Sequence, residues 1–352
     1  MTICYFGIYN PEYSRNRILI KGLKQNGVKV IECNSRLQGV RKYFDLIKKH
    51  WRLRGKYDVM IVGFPGYQAM ILARFLTRRP IIFDAFTSIY DSLVLDRKIT
   101  SPYSLKAKYY YFLDWLSCRL ADKILSDTAQ NIQYFSKNFK VKYSKFIRVF
   151  VGVDEEIMKP IKEKDKIEHK QERDYFLVHF HGSYIPLQGV EYILAAAKIL
   201  EKKNIKFNII GSKIKEKFSG QSYPNVNFIN NVSYKELRDL IVKTDVSLGI
   251  FGDTEKTKRV IPNKVFEAVA CGCPVITADT PAIKELFIDG KNIILCPAAN
   301  SQALAQKILK LKNDKFLREN IAKEGYNLFK DKLTSKMVTK IIYEQIFKNC
   351  GD

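Results

Sequence analysis

The sequence contains no Cys-x-x-Cys, no His-Glu-x-x-His and no Asp-x-Asp. The first two absences argue against a zinc site. The third removes the carboxylate pair that would hold Mg²⁺ against phosphates, so no metal and no cofactor are expected. The seven cysteines (Cys4, Cys33, Cys118, Cys271, Cys273, Cys296, Cys350) are odd in number and scattered. They do not form a disulfide framework and read as buried reduced thiols. Histidine is scarce, at positions 50, 169, 179 and 181. No apolar run approaches the roughly 20 residues that cross a bilayer. The opening "MTICYFGIYNPEYSRN" lacks a charged segment followed by an apolar one, so it reads as a first strand and loop, and the expected location is cytoplasmic. Solenoid-length repeats are missing as well.

What is present is a 352-residue chain of globular composition, long enough for two domains. Apolar runs alternate with helical stretches. "TICYFGI", "VKVIECN", "YDVMIVGF", "PIIFDAF", "KILSDT" and "IRVFVGV" read as strands in the first half. "YFLVHFHG", "KFNIIG", "VNFIN", "VSLGIF", "PVIT" and "NIILC" follow in the second. Such alternation implies parallel sheets covered on both faces. The charged stretch 156–174 reads as a linker. It separates an N-terminal domain (1–155) from a second one (175–330), and a final helix (331–352) is expected to pack back on the first. In open α/β sheets ligands sit beyond the carboxyl ends of the strands, which places the expected site in a cleft between the domains.

Net charge is +24. Residues 1–160 carry 28 Lys and Arg against 13 Asp and Glu, so the excess is concentrated in the first half. A field of this sign favours phosphorylated substrates or an anionic membrane surface. Nucleic acid is not an expected partner, because no RNP-type, helix-turn-helix or finger pattern occurs. In "VRKYFDLIKKHWRLR", Val40, Tyr43, Phe44, Ile47 and Trp51 share one helical face flanked by basic residues. This helix either lies on an anionic membrane or packs its apolar face on the sheet. "YYYFLDWL" (109–116) is apolar almost all round and reads as buried core.

The segment "RVIPNKVFEAVACGCPVIT" (259–277) carries the densest signal. Pro262 suits a helix start, and Lys264 and Glu267, three apart, share a face. Gly272 and Pro274 end the helix ahead of a buried strand. The pair is either a surface ion pair or part of a ligand site. Gly182 and Gly189 flank a loop that enters a helix, where backbone N–H groups can approach a diphosphate. His179 and His181 alternate toward Gly182 and share one strand face.

Four stretches together resemble the nucleotide-sugar-binding domain of the retaining glycosyltransferases of family 4. They are "HGSYIPLQGVEYILAAAKIL", "NIIG", "VSYKELRDLIVKTDVSLGIF" and "PNKVFEAVACGCPVITADTPAIKELFIDGKNIIL", and they cover most of 175–330. The resemblance implies the GT-B fold, two Rossmann-like α/β domains facing each other across a cleft. It also implies transfer of a sugar from a nucleotide diphosphate-sugar donor, with retention, to a glycan or lipid-linked acceptor in cell-surface polysaccharide assembly. Glu267 matches the family's second glutamate, which holds the ribose hydroxyls, and Lys264 on the same face would neutralise the diphosphate. Two departures stand out. Arg259 occupies the position of the first glutamate, and Ser183 and Gln188 replace the two basic residues of the loop. Relocation of the charge to Lys264 and Arg259 is one reading of this; a degenerate nucleotide-sugar or polyanion binding protein is the other. The donor site expected on this resemblance comprises Gly182, Ser183, Gly189, Gly252, Asp253, Asn263, Lys264 and Glu267, with backbone N–H groups near Gly252 and Asp253 holding the sugar. Lys264, Arg259 and Asp84 are the expected catalytic residues, and Tyr13 and Arg15 the expected acceptor contacts.

Overall fold

The computed structural model describes residues 1–161 and 173–347. The charged stretch 156–174 lies largely outside them, as do His169 and Cys350. The chain divides into two compact units: Met1–Asp154 with the segment from Leu333 onward, and Glu155–Lys332.

The first unit holds strands β1 (Thr2–Gly7), β2 (Lys29–Asn34), β3 (Val59–Val62), β4 (Ile81–Phe86), β5 (Lys123–Ser126) and β6 (Phe146–Arg148). All pair in parallel, in the order β2-β1-β3-β4-β5-β6. Helices α1 (Ser14–Gln25), α2 (Arg41–Leu53), α3 (Tyr67–Leu76), α4 (Leu105–Leu120) and α5 (Ala129–Phe139) connect them. Burial on both faces explains why β1, β3, β4 and β5 are nearly continuous apolar runs, whereas β2, at the sheet edge, exposes Lys29 and Glu32. Gly27, left-handed at φ +79°, closes α1. Ser104 and Thr128 cap α4 and α5 through their hydroxyls.

The second unit repeats the plan with β7 (Phe176–His181), β8 (Ile205–Ile210), β9 (Val226–Ile229), β10 (Val246–Leu248), β11 (Val275–Ala278) and β12 (Ile294–Cys296), in the order β12-β11-β10-β7-β8-β9. Helices α6 (Val190–Ile199), α7 (Ser212–Phe218), α8 (Tyr234–Val242), α9 (Asn263–Ala270), α10 (Ser301–Asn313) and α11 (Lys315–Lys332) cover it. Its core is a single cluster built on Phe180, Phe207, Leu248 and Ile276 of the sheet, with α6 and α10 packed against them.

The final helix, α12 (Ser335–Phe347), belongs to the first unit and packs on α1. Contact is tight: a Cβ built on Gly22 would lie 2.0 Å from the Ser335 carbonyl oxygen. Asn26 Nδ2 donates to the Lys336 carbonyl and to Thr339 Oγ1, each at 2.9 Å.

Two sequence expectations change. The segment 109–116 is not core throughout, because Tyr109, Tyr111 and Phe112 are exposed while Leu113 and Asp114 are buried. In α2 the sheet takes Leu46 and His50 instead of the aromatic stripe, and the His50 ring nitrogen meets Tyr57 Oη at 2.7 Å. Phe44 and Trp51 stay exposed, so packing of that stripe on the sheet is excluded.

Candidate functional site

In the second sheet the chain winds outward from β7 through β8 to β9, then returns to the other side of β7 with β10. The gap between the carboxyl ends of β7 and β10 is therefore a topological switch point, where such sheets hold ligands. Three segments meet there: the loop 182–189 after β7, the segment after β10, and the start of α9.

Loop 182–189 is fixed by backbone contact with the β10 segment. Phe251 N–H donates to the Gln188 carbonyl at 3.1 Å, and Gly252 N–H to the Leu187 carbonyl at 3.2 Å. A Cβ on Gly252 would lie 2.3 Å from the Pro186 carbonyl oxygen, and one on Gly189, at φ +65°, 2.5 Å from Gly252 N. Glycine is required at both places. The same contacts correct one expectation: the Gly252 N–H is committed to the loop and is not available to a sugar. Asp253 and Ser183 are exposed at its edge.

Helix α9 starts at Asn263 after an extended Pro262, with no side-chain cap and no acidic residue in its first turn. Its N-terminus keeps the positive end of the helix dipole uncompensated by an acid there. Lys264 and Glu267 are both buried and both reach the end of β7. Lys264 Nζ donates to Gln188 Oε1 and lies 3.7 Å from the centre of the Phe180 ring. A Cβ on Gly182 would come within 2.8 Å of that ammonium. Burial pushes the Lys264 ammonium well below its ordinary pKa, against the pull of Glu267. Gln188 thus tethers a cation supplied by α9.

Glu267 Oε2 meets His181 Nε2 at 2.8 Å, and His181 Nδ1 meets His179 Nε2 at 2.9 Å. Burial, with the His181 and Lys264 charges, holds the His179 imidazole well below its ordinary pKa, so it is neutral. A carboxylate only accepts, so His181 Nε2 carries hydrogen toward Glu267. His179 Nδ1 is buried with no hydrogen-bond partner among the described residues. Neither the bond from His181 to Glu267 nor the Gln188 tether was legible from spacing; the shared face of His179 and His181 was the only hint.

Arg259 lies half-buried in the 3-10 turn Thr257–Arg259, ahead of α9. Asn263 is half-buried in the first turn of that helix. Among the described residues no group of three His, Cys, Asp or Glu could hold a metal ion.

The first unit has its own switch point, between β1 and β3. Tyr13 lies in the loop after β1, 38% exposed, with its ring centroid 5.6 Å from that of Phe64 in the loop after β3. Arg15 and Asp84 do not share this access. Both side chains are 0% exposed and pair with each other, Nη2 to Oδ1 at 2.9 Å. Arg15 Nη1 donates to the Val149 carbonyl at 2.7 Å. The expectations of an acceptor-binding Arg15 and a catalytic Asp84 are therefore corrected: the two are an enclosed charge pair joining α1, β4 and the segment after β6.

Residues 176–314 match the sequence pattern of the glycosyl transferases group 1. The second unit carries the glycosyl transferases group 1 pattern. Relatives of the chain include an uncharacterized glycosyltransferase of Methanocaldococcus jannaschii, 25% identical over 273 residues, covering 73% of this chain and 66% of the relative. The capsular polysaccharide biosynthesis glycosyltransferase CapM of Staphylococcus aureus is 26% identical over 192 residues, covering 51% and 46%. The chain thus spans about half to two thirds of the length of these curated relatives. Among solved structures, Anabaena Alr3699/HepE in complex with UDP superimposes with TM-score 0.74 at 15% identity, over 99% of this chain and 100% of that one. Sucrose-phosphate synthase of Thermosynechococcus elongatus gives 0.75 at 13% identity, over 99% and 100%. The chain has the GT-B fold.

Proposed function

We propose that the protein is a retaining glycosyltransferase that moves a sugar from a nucleotide diphosphate-sugar to a glycan or lipid-linked acceptor in cell-surface polysaccharide assembly. The observation that carries this reading is the pairing on α9 of a buried Lys264 and a buried Glu267, both facing the β7 end at the switch point. Support for the donor comes from a GT-B neighbour crystallised with UDP and with UDP-glucose. Support for the pathway class comes from CapM and from a Klebsiella pneumoniae protein of the cps region, 26% identical over 245 residues.

The chemistry follows from desolvation. A buried ammonium with a lowered pKa gains most when a dianion arrives, because the diphosphate restores its charge in a low-dielectric site. Lys264, the N-terminus of α9 and the Gly182–Gly189 loop would hold the diphosphate, with Arg259 as a second cation. Departure of the nucleoside diphosphate is the costly step, and Lys264 stabilises the charge that develops on it. Glu267, with one oxygen held by His181, presents the other to the ribose hydroxyls. Tyr13 is the remaining candidate for the acceptor.

A thermal-shift panel with UDP, GDP, ADP and their sugar conjugates tests this on wild type and Glu267→Ala. Ligand at about 100 times its dissociation constant stabilises by roughly 2.7 kcal/mol. The expected result is a shift with one base that disappears in the variant. No shift with any nucleotide would replace the transferase with a degenerate binding protein, the reading that Arg259, Ser183 and Gln188 at the family's charged positions would then favour.

A further inference from the structure

Helix α2 has two faces that should not both be apolar in an ordinary covering helix. At about 100° per residue, Val40, Phe44, Ile47 and Trp51 fall within an arc of about 60°, while the buried Leu46 and His50 point about 110° away from it. The sheet takes the second face. The first keeps Val40 and Phe44 at 70% exposure and Trp51 at 69%. On its other flank, about 90° round, stand Arg41, Lys48 and Arg52. Asp45 is the one acid on this helix, and it pairs with Lys49 at 2.8 Å.

Helix α4 does the same. Leu105, Tyr109 and Phe112 line an exposed arc opposite the buried Asp114, Ser117 and Cys118. The two stripes are joined at the surface: Tyr43 Oη donates to Gln68 Oε1 at 2.8 Å, and Gln68 Nε2 donates to Tyr109 Oη at 2.9 Å. One side of the first unit thus presents aromatic and aliphatic side chains on α2 and α4, linked through Gln68 of α3 and edged by lysine and arginine. Scattered exposed apolar residues are ordinary; a continuous set of this kind marks an interaction surface.

We infer that this α2–α4 side docks onto an anionic lipid bilayer. Charge complementarity names the occupant: residues 1–160 carry 28 basic against 13 acidic side chains, and the stripe is bordered by cations with aromatics at its crest. That is the composition of a helix that lies in the headgroup layer, basic groups on the phosphates and rings at the acyl boundary. No helix among the described residues is long and apolar enough to cross a membrane, so the contact is one of lying on it. The inference stands apart from the donor site and would put the first unit on the surface where a lipid-linked acceptor resides.

Flotation of the full chain with vesicles tests it, using phosphatidylcholine alone and a mixture with phosphatidylglycerol. Binding is expected only to the mixture and to weaken with salt. Trp51 reports insertion in a Trp115→Phe background: its emission should move to the blue and be quenched by brominated acyl chains. Phe44→Ser with Trp51→Ser should weaken binding at least tenfold. Arg41, Lys48 and Arg52 changed to glutamine should weaken it roughly a hundredfold at low salt, at about fivefold per cation near the surface. All five side chains are on the surface, so the nucleotide-induced thermal shift should be retained in both variants, which separates this test from that of the donor site. Absence of flotation with anionic vesicles, or flotation equal in the variants, would overturn the inference. So would sedimentation showing a dimer that Phe44→Ser dissociates, which would assign the surface to a second copy of the chain.

Discussion

Replacing Asp84 by alanine should destabilise the first unit around α1 and β4 before it says anything about catalysis. Asp84 has no exposed side-chain surface and accepts from Arg15 Nε at 3.1 and 3.2 Å and from Nη2 at 2.9 Å. Arg15 cannot shed its charge, and its Nη1 is committed to the Val149 and Phe150 carbonyls. Alanine would leave an enclosed cation without its counter-ion, which costs about 3–5 kcal/mol. For a unit of this size that lowers the melting temperature by roughly 6–20 °C. Two-unit chains are poorly served by one global transition, so hydrogen exchange resolved by peptide is the better assay. Loss of protection should be confined to β1, β4, β6 and α1. A double variant, Arg15→Met with Asp84→Leu, should recover part of the loss, because it removes both desolvated charges while leaving two carbonyls short of a donor. Wild-type exchange in Asp84→Ala together with a lost turnover would refute this reasoning and return Asp84 to the chemistry.

Three further outcomes are expected. Nucleotide diphosphate affinity should fall as pH rises above the lowered pKa of free Lys264, by up to about tenfold per pH unit, because binding then requires proton uptake; calorimetry in buffers of different ionisation enthalpy would detect that proton, and Lys264→Met should bind weakly with no such dependence. His181→Phe, which removes the hydrogen bond to Glu267, should weaken nucleotide binding by roughly 10-fold or more, since a bond to a charged group is worth about 1.5–3 kcal/mol; unchanged affinity by titration would show that Glu267 needs no support. Gly22→Ala should loosen α12, because the new Cβ would sit 2.0 Å from backbone oxygen of Ser335; the cost of overpacking is about 1–3 kcal/mol, and limited proteolysis near Leu333 is the readout.

The strands were readable because their residues are buried on both sides, so apolar runs such as "PIIFDAF" and "FLVHFH" stand out without knowledge of neighbours. Helix α7, seven residues long, gives too short a period to detect. Helix α5 is marked by its Thr128 cap and by the buried Ile132, Phe135 and Phe139 at helical spacing. Lys264 and Glu267 share a local helix, so their common face could be read from spacing. Arg15 and Asp84 are 69 residues apart, and only the crossover from β1 to β4 brings them together. For α2, periodicity finds the aromatic stripe but carries no information about which of two faces the sheet will take. That choice fell to Leu46 and His50 because Tyr57 waits beneath them as a hydrogen-bonding partner.

The return of α12 to α1 also sets an order of events in synthesis. The groove beside Gly22 and Asn26 is made early, yet the segment that fills it emerges only after all of Glu155–Lys332 has been translated. On the ribosome the second unit can close on itself while the first still waits for its last helix, reversing the usual precedence of the N-terminal part. A nascent chain stalled before Leu333 would hold a finished second unit and an unsealed first one.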